Sequence, residues 1–268
     1  MDWPRAGAKG HLRQLEIKRF GWVRDIPDRR DLRYSPPPQL AAALPPKADL
    51  RTGFQPCYDQ GLLGSCTANA IAGALQYLEC KEGEKPPVMP SRLFVYYNER
   101  ALEGSVGSDS GAQIRDGIKT VVKQGYCSES CWPYVIANFA LRPPSECYRQ
   151  AVRERVSQYL RLDNALVALL TCIASGYPFV FGFSVYESFE SRTVAQTGVV
   201  HLPRRGERLV GGHAVVGSGY DTTAKRFLVR NSWGPGWGPR GYFTMPFDYV
   251  TDPYLAADFW TIRQVPVV

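Results

Sequence analysis

The chain has 268 residues, of which 44% are hydrophobic and 21% are charged, and this balance is typical of a globular protein rather than a disordered one. It is long enough for one large domain or two lobes, and no apolar run approaches the roughly 18 to 20 residues of a membrane span. The net charge of +7 lies mostly at the front, where residues 1–33 carry nine basic and five acidic side chains. Because these charges are mixed in sign and no recognition motif accompanies them, we expect no nucleic-acid partner.

Residues 1–45 form the first segment, which we interpret as an N-terminal extension resembling a prosegment. It is basic, lacks a clear period and ends in YSPPPQLAAALPP, where the proline run favours an extended polyproline II spacer. Its start lacks the apolar core of a secretory signal peptide, so the sequence indicates no export route and leaves the compartment open.

Residues 46–165 are expected to form a helical lobe. The segment CTANAIAGALQYLE, which begins at Cys66, places small and apolar residues on one face of a largely buried helix. Further helices are predicted in PSRLFVYYNERALEG, in GAQIRDGIKTVVKQG, which should end at Gly125, and in PSECYRQAVRERVSQYL. The side chains expected to face inward from the second and third of these helices are Leu93, Phe94, Tyr97, Leu102, Ile114, Ile118, Val121 and Val122.

Residues 166–268 have a different texture, which predicts a β lobe. Short β-branched or aromatic runs alternate with Gly and Pro, as expected for strands of an antiparallel sheet or barrel. The predicted strands are YPFVFGFSV, TGVVHLP, GGHAVVGSGYD, RFLVRNSWG and GYFTMP. A helical half followed by a β half indicates an α+β fold with two lobes, and a cleft between lobes is a common ligand site.

Cys66 lies in QGLLGSCTAN, where a glycine-rich turn meets the first predicted helix. Free cysteine is among the most buried residue types, so a small core thiol is the simplest interpretation. The alternative is a nucleophile, because the partial positive charge of a helix N-terminus favours the reactive thiolate. A thiol nucleophile also needs an imidazole partner, an acceptor that orients the imidazole, and donors for the developing oxyanion.

His213 is the strongest imidazole candidate, because it begins a predicted strand in GGHAVVGSGY that could hold it at a cleft. Asn231 follows 18 residues later, at the end of the next predicted strand. A hairpin would bring the two side chains together, and an amide oxygen can accept from an imidazole N–H. Gln60, six residues before Cys66, could donate its side-chain amide to an oxyanion beside the Cys66 backbone N–H.

These segments together resemble the papain-like cysteine peptidases. The resemblance rests on Q-G-x-x-G-S-C at 60–66, H-A-V at 213–215, N-S-W-G-x-G-W-G at 231–238 and G-Y-F at 241–243. It extends over about residues 45–262 and implies a papain-like fold, with a helical N-terminal lobe, a β-barrel-like C-terminal lobe and the active site between them. It also implies a monomeric enzyme that uses neither a metal nor an organic cofactor.

The resemblance assigns roles residue by residue. Cys66 would be the nucleophile, His213 its acid–base partner, Asn231 the group that orients the imidazole, and Gln60 a donor to the oxyanion. Trp233 would shield the His213–Asn231 hydrogen bond, with plain core packing as the alternative, and core packing is the expectation for Trp237. The backbone of Ser110 and Gly111 would pair with an extended peptide substrate.

The sequence departs from the family pattern at three places near the nucleophile. Leu63 stands where the family usually has a cysteine, and Ser108 stands near the position of its disulfide partner. That disulfide is therefore expected to be absent. Thr67 replaces the aromatic residue that usually follows the nucleophile, which alters the cleft lining and removes no catalytic group. The long prodomain is also missing, and the front segment resembles the short extensions of bacterial members.

Six further cysteines remain. Cys127, Cys131 and Cys147 are close in sequence, and a bridge from Cys147 to either of the other two is expected, with the connectivity left open. No second Cys or His pair follows Cys127 and Cys131 at metal-ligand spacing, so no metal site is expected. The remaining cysteines have apolar neighbours and are expected to be free core thiols: Cys57, Cys80 and Cys172.

We therefore expect a cysteine endopeptidase acting on peptides or proteins. The alternatives are a thiol acyltransferase or amidase on the same scaffold, and a non-catalytic peptide-binding protein. Gln113 and residues near Ala257 are candidates for the lining of a specificity pocket. Residues 1–40 are expected to lie over the cleft as an internal inhibitor, with Phe20 or Trp22 as an apolar anchor; the alternative is a disordered tail.

Overall fold

The structure is a computed structural model that describes residues 20–83 and 87–264. Expectations for residues 1–19, which make up much of the extension, lie outside the described residues. The helices are α1 (Pro38–Ala42), α2 (Cys66–Glu82), α3 (Arg92–Glu103), α4 (Ile114–Lys123), α5 (Ser145–Ala151), α6 (Leu166–Ala174), α7 (Arg192–Thr197) and α8 (Phe247–Thr251). The strands are β1 (Trp22–Val23), β2 (Lys47–Asp49), β3 (Ala112–Gln113), β4 (Gln158–Arg161), β5 (Phe179–Tyr186), β6 (Leu209–Asp221), β7 (Arg226–Arg230), β8 (Tyr242–Pro246) and β9 (Ala256–Gln264).

Helix α2 is the central helix of the N-terminal lobe. Its side chains are buried from Cys66 to Glu79, as expected for a helix that is apolar or small on nearly every face. It ends one turn later than the apolar pattern predicts, at Gly83, whose left-handed conformation allows its N–H to reach the Glu79 carbonyl. The buried start of this helix places Cys66 inside the protein rather than on its surface.

Helices α3 and α4 pack beside α2, and most of their predicted inward residues are buried. Leu102 is the exception: it lies in the last turn of α3, beyond the packed part of the helix, and is 53% exposed. The prediction for Leu102 was therefore wrong. Tyr97 and Val122 are half-buried. Helix α4 stops just before Gly125, which adopts the expected positive φ of 80°.

The main sheet is antiparallel, with strand order β4-β9-β5-β6-β7-β8, and β2 pairs with β6 outside that path. Among the described strands the sheet is open and does not close into a barrel. The long strand β6 pairs with both β5 and β7, and its register places Phe183 opposite His213. The helices and this sheet together form the two-lobed α+β fold that the sequence predicts.

The C-terminal half contains more helix than its sequence texture indicates. The run TGVVHLP does not form a strand: α7 extends to Thr197, Gly198 turns the chain with φ 65°, and only Val199 makes an isolated bridge, to Thr244. The helix predicted in 144–160 ends early at Ala151. The chain then forms β4, which pairs with β9, and Tyr159 packs against Trp260 with ring centroids 5.9 Å apart.

The described part of the N-terminal segment, residues 20–45, runs along the body of the protein. Strand β1 pairs in parallel with β3, and further along the Tyr34 N–H donates to the Arg161 carbonyl at 2.8 Å. Helix α1 begins at Pro38. Proline suits the first position of a helix because it has no N–H to leave unpaired. No helix within 20–83 or 87–264 is both long and apolar enough to cross a membrane.

Candidate active site

Cys66 is the first residue of α2, and its side chain is fully buried. Its Sγ accepts the Ala214 backbone N–H at 3.4 Å and also the backbone N–H of Gly21, from the N-terminal segment. Burial raises the pKa of the Cys66 thiol to about 12, while these N–H donors act in the opposite direction. In this closed arrangement the neutral thiol is therefore favoured over the thiolate.

His213 and Asn231 meet across the neighbouring strands β6 and β7, as the hairpin argument predicts. The Nε2 of His213 lies 2.8 Å from the Oδ1 of Asn231, so Nε2–H donates and the amide oxygen accepts. Burial lowers the pKa of His213 to about 4, and the Asn231 contact opposes that shift. Within residues 20–83 and 87–264, the other ring nitrogen, Nδ1, has no hydrogen-bond partner.

Gln60 lies in the turn before α2 and is fully buried. Its Nε2 donates to the Leu63 carbonyl at 2.9 Å, and its Oε1 accepts from the Ser232 hydroxyl at 2.6 Å. The Leu63 carbonyl can only accept, so it fixes which end of the amide is the donor, and the Ser232 hydroxyl then donates to the other end. Sequence reasoning missed Ser232, although it stands next to Asn231 in the same motif.

Trp233 covers the imidazole from one side. Its ring centroid lies 5.0 Å from that of His213 with an interplanar angle of 32°. Phe20, from the N-terminal segment, contacts both rings, with centroids 6.0 Å from each. Trp237 packs edge-on against Trp233 at 5.2 Å and against Phe243 at 5.7 Å, as expected for a core side chain. These rings pack around the His213 side chain, which is fully buried.

The loop before β3 forms the opposite side of the site. Gly111, with φ 72°, donates its N–H to the Tyr96 hydroxyl at 3.2 Å, and the Ser110 hydroxyl donates to the Gly111 carbonyl. The next residue, Ala112, donates its N–H to the Gly21 carbonyl at 2.8 Å. The pairing of Ser110 and Gly111 with a peptide substrate stays a prediction. In this structure the neighbouring Ala112 pairs with the chain itself.

Gly21 lies where only a glycine fits. A Cβ on Gly21 would lie 1.7 Å from the carbonyl oxygen of Gly64, two residues before the nucleophile. The neighbouring side chains also rest on glycines, because a Cβ on Gly211 would lie 2.7 Å from the Phe20 ring and one on Gly212 would lie 2.8 Å from the Trp22 ring. Glycine at both surfaces allows this close approach of backbone and ring.

Gln113 and Ala257, the expected neighbours of a specificity pocket, lie beside β1. Gln113 pairs with Val23, and Ala257 pairs with Gly182. The Trp22 indole covers Gly182 so closely that a Cβ there would lie 1.9 Å from Cε2 of the ring. The indole therefore fills the space next to these two residues.

The site thus combines a buried thiol, whose sulfur accepts the N–H of the residue that follows His213, with an imidazole held by an amide oxygen. A buried amide, that of Gln60, lies in the turn before the thiol, and together these groups have the composition of a thiol hydrolase site. Residues 44–251 match the family model described as papain family cysteine protease, and the chain therefore belongs to that family. It is a cysteine peptidase.

Individual relatives agree with this assignment. An uncharacterized peptidase C1-like protein of Acanthamoeba polyphaga mimivirus is 44% identical over 272 residues, which cover 92% of this chain and 88% of the relative. Xylellain, a cysteine protease from Xylella fastidiosa, is 43% identical with a TM-score of 0.88 over 93% of this chain and 99% of that structure. The proCathepsin B S9 structure from Trypanosoma congolense, at 18% identity and TM-score 0.72 over 89% of this chain and 85% of its own, shares the fold.

Proposed function

We propose that this protein is an endopeptidase in which Cys66 forms a thioester with the peptide carbonyl. The observation that carries the proposal is the 2.8 Å contact between His213 and Asn231, together with the Cys66 sulfur at a helix N-terminus, which accepts the N–H of the residue after His213. Asn231 holds Nε2, which leaves Nδ1 as the nitrogen that exchanges a proton with Cys66. Trp233 keeps water from the His213–Asn231 bond.

The reaction then proceeds in two steps. The Cys66 sulfur attacks the carbonyl carbon as its proton passes to His213, and the oxyanion accepts from the Cys66 N–H and the Gln60 amide. His213 next protonates the leaving amine, and the thioester forms. In the second step His213 takes a proton from water, which attacks the thioester and restores the thiol.

The test compares the chain with its Cys66→Ala variant on a peptide library, with product analysis by mass spectrometry. We expect internal cleavage with a free carboxylate at each new end, and no cleavage by the variant. Cleavage by Cys66→Ala would contradict the mechanism. Products in which the acyl group reaches another amine would instead support an acyltransferase, and binding without turnover would support a non-catalytic protein.

We also propose that residues 1–45 act as an inhibitory extension of a peptidase domain at 46–268, made of a helical lobe at 46–165 and a β lobe at 166–268. Support comes from Gly21, which places an N–H against the Cys66 sulfur and its carbonyl against Ala112. A nucleophilic sulfur needs a carbonyl carbon, and this segment offers it a donor instead. The segment therefore occupies the site without being a substrate in that position.

Comparing the full chain with one that starts at Ala41 tests this inhibition. We expect the shorter chain to hydrolyse peptides at least ten times faster and its Cys66 to react faster with iodoacetamide. Equal rates in two folded proteins would contradict the proposed inhibition. This result does not depend on the Cys66→Ala test of the chemical mechanism. The expected partners are thus a peptide or protein substrate and the chain's own extension.

A further inference from the structure

A second group of thiols lies outside the active site. The sulfur atoms of Cys127, Cys131 and Cys147 all lie within 4.8 Å of one another. All three cysteines are free, and the Sγ atoms of Cys131 and Cys147 are 2.9 Å apart. Cys147 also contacts the Cys127 thiol, so it touches both of the others.

The surroundings divide the three thiols into two buried ones and one that reaches solvent. Cys127 and Cys147 belong to a small apolar cluster with Phe94 and Ala151. Cys131 is partly exposed and lines an open surface cavity of about 400 Å³. Burial raises the pKa of Cys147 to about 11 and that of Cys127 well above its ordinary value, so neither is readily a thiolate.

Three thiolates around one metal ion do not fit this spacing. Zinc–sulfur bonds of about 2.3 Å place neighbouring sulfurs roughly 3.8 Å apart in a tetrahedral site. The Sγ atoms of Cys131 and Cys147 are only 2.9 Å apart, which is much closer than that. Among the described residues, no fourth Cys, His, Asp or Glu side chain completes the group.

We propose that Cys127, Cys131 and Cys147 form a thiol–disulfide exchange site that reacts with small disulfides through Cys131 and shares Cys147 between two alternative partners. This site is separate from the peptidase chemistry and does not depend on it.

The exchange begins at Cys131. The Cys131 thiolate attacks one sulfur of a small disulfide, breaks its S–S bond and releases one thiol, leaving a mixed disulfide. Cys147 then attacks the Cys131 sulfur and forms the Cys131–Cys147 bond, while the Cys147 proton passes to the departing sulfur, which leaves as the second thiol. Two protein thiols are oxidised and one small disulfide is reduced to two thiols. Attack by Cys127 on Cys147 moves the bond inward and returns Cys131 as a thiol, without further oxidation.

The site is connected to the active site through the following loop. Ser91 donates its hydroxyl to the Trp132 carbonyl at 2.6 Å and its N–H to the Cys127 carbonyl at 2.8 Å. Two residues beyond Trp132, the Tyr134 hydroxyl donates to the Gln60 carbonyl at 2.9 Å and lies 2.5 Å from the Ser65 hydroxyl. A bond at the thiol cluster therefore fixes a loop that supports the turn before Cys66.

The first test uses the full chain as Cys66→Ala, which removes the thiol of the active site. The protein is incubated with oxidised glutathione, its remaining thiols are alkylated, and peptides are mapped by mass spectrometry. We expect Cys147 to become bridged to Cys131 or Cys127, and the bridge to be reversed by dithiothreitol. Cys80, another partly exposed thiol, is the control and should form at most a glutathione adduct. The bridged form should melt about 5 °C higher than the reduced form.

Single variants in that background separate the roles. Cys131→Ser should slow bridge formation at least tenfold, because the buried pair loses its entry thiol. Cys127→Ser should keep a Cys131–Cys147 bridge, and Cys147→Ser should leave only a glutathione adduct on Cys131. Glutathione adducts without any bridge in the parent would overturn the proposal. Protection of the three thiols by Zn²⁺ that a chelator reverses and dithiothreitol does not would also overturn it, in favour of a metal site.

Discussion

The carboxylate of Asp109 accepts the backbone N–H of Gly64, with its two oxygens at 3.0 and 3.2 Å from the nitrogen. It also accepts the Tyr96 hydroxyl at 2.5 Å. Gly64 directly follows Leu63, which stands where the family usually has one cysteine of a disulfide. Asp109 directly follows Ser108, which stands near the position of the other cysteine. A charged hydrogen bond therefore joins the two loops that the missing covalent bond would have joined.

Removing this carboxylate should loosen the turn that carries Cys66. In Asp109→Ala, the Gly64 N–H and the Tyr96 hydroxyl lose their acceptor, which costs about 1–3 kcal/mol and lowers the Tm by about 5 °C. We also expect kcat/KM to fall about tenfold, since the donors of the oxyanion site sit on this turn. Ser108→Ala, on the exposed neighbouring residue, is the control. An unchanged Tm in Asp109→Ala would show that the contact does not stabilise the turn.

Gly21→Ala should release the N-terminal segment from the active site. Its new Cβ would lie 1.7 Å from the Gly64 carbonyl oxygen, and backbone atoms there cannot yield as the end of a side chain could. The full-length variant should therefore hydrolyse peptides at least ten times faster than the parent. Gly107→Ala, at a position with no atom within 4 Å of the added Cβ, should leave the rate unchanged. Parent-like inhibition in Gly21→Ala would argue against a blocking role for this segment.

Gln60 and Ser232 should affect turnover rather than substrate binding. Gln60→Ala removes the proposed oxyanion donor, and for the loss of such a donor decreases of about 10²–10³ in kcat are typical. Ser232→Ala removes the donor at 2.6 Å that sets the orientation of the Gln60 amide, so a smaller loss of about tenfold is expected. Ser218→Ala, which removes a buried hydroxyl bound to the Leu228 carbonyl, is the matched control. Steady-state kinetics in the chain starting at Ala41 separates the effects, and a change confined to KM would contradict this assignment.

Asp25 should make the stability of the full chain depend on pH. Burial, and next the charge of Asp258, raise the pKa of Asp25 to about 7, although Trp260 and Arg115 donate to its carboxylate. The folded state therefore holds a proton that the unfolded chain releases near pH 4. This bound proton contributes fully to the free energy of unfolding below that pH. The contribution, at most about 4 kcal/mol, is lost as pH rises to about 7.

Denaturation of Cys66→Ala between pH 4 and pH 8, with and without Asp25→Asn, measures this contribution. For each protein the free energy of unfolding is plotted against pH. The difference between the slopes of the two plots separates the contribution of Asp25 from those of other titrating groups such as His213. Asp163→Asn, on an exposed carboxylate paired with Arg33, is the control for the loss of one negative charge. Identical slopes with Asp25→Asn would mean that this carboxyl is already ionised near neutral pH.

The elements and residues closest to the chemistry were the most predictable from the sequence. Helix α2 and the meeting of His213 with Asn231 follow from local patterns: an apolar helical run, and two strands joined by a hairpin. The sequence motif was less informative about the neighbour of Asn231. Ser232 stands in the same motif as Asn231, and its role depends on a hydrogen bond to a residue 172 positions away.

Other features could not be predicted because they depend on contacts distant in sequence. TGVVHLP has the composition of a strand, yet α7 and the turn at Gly198 occupy that part of the chain. Strand β4 follows a helical pattern but pairs with β9, which is about 100 residues later. The requirement for glycine at position 21 arises from the Gly64 carbonyl, and nothing near Gly21 in the sequence signals it.

The contact between Gly21 and Cys66 joins two parts of one polypeptide, and this sets how the proposed inhibition responds to concentration. A segment held by a short tether acts at an effective concentration in the millimolar range, however dilute the protein is. Dilution should therefore not activate the enzyme, and a competing substrate of equal affinity must exceed that local concentration. Cutting the tether changes this at once, because the released peptide then has to bind from solution at its bulk concentration.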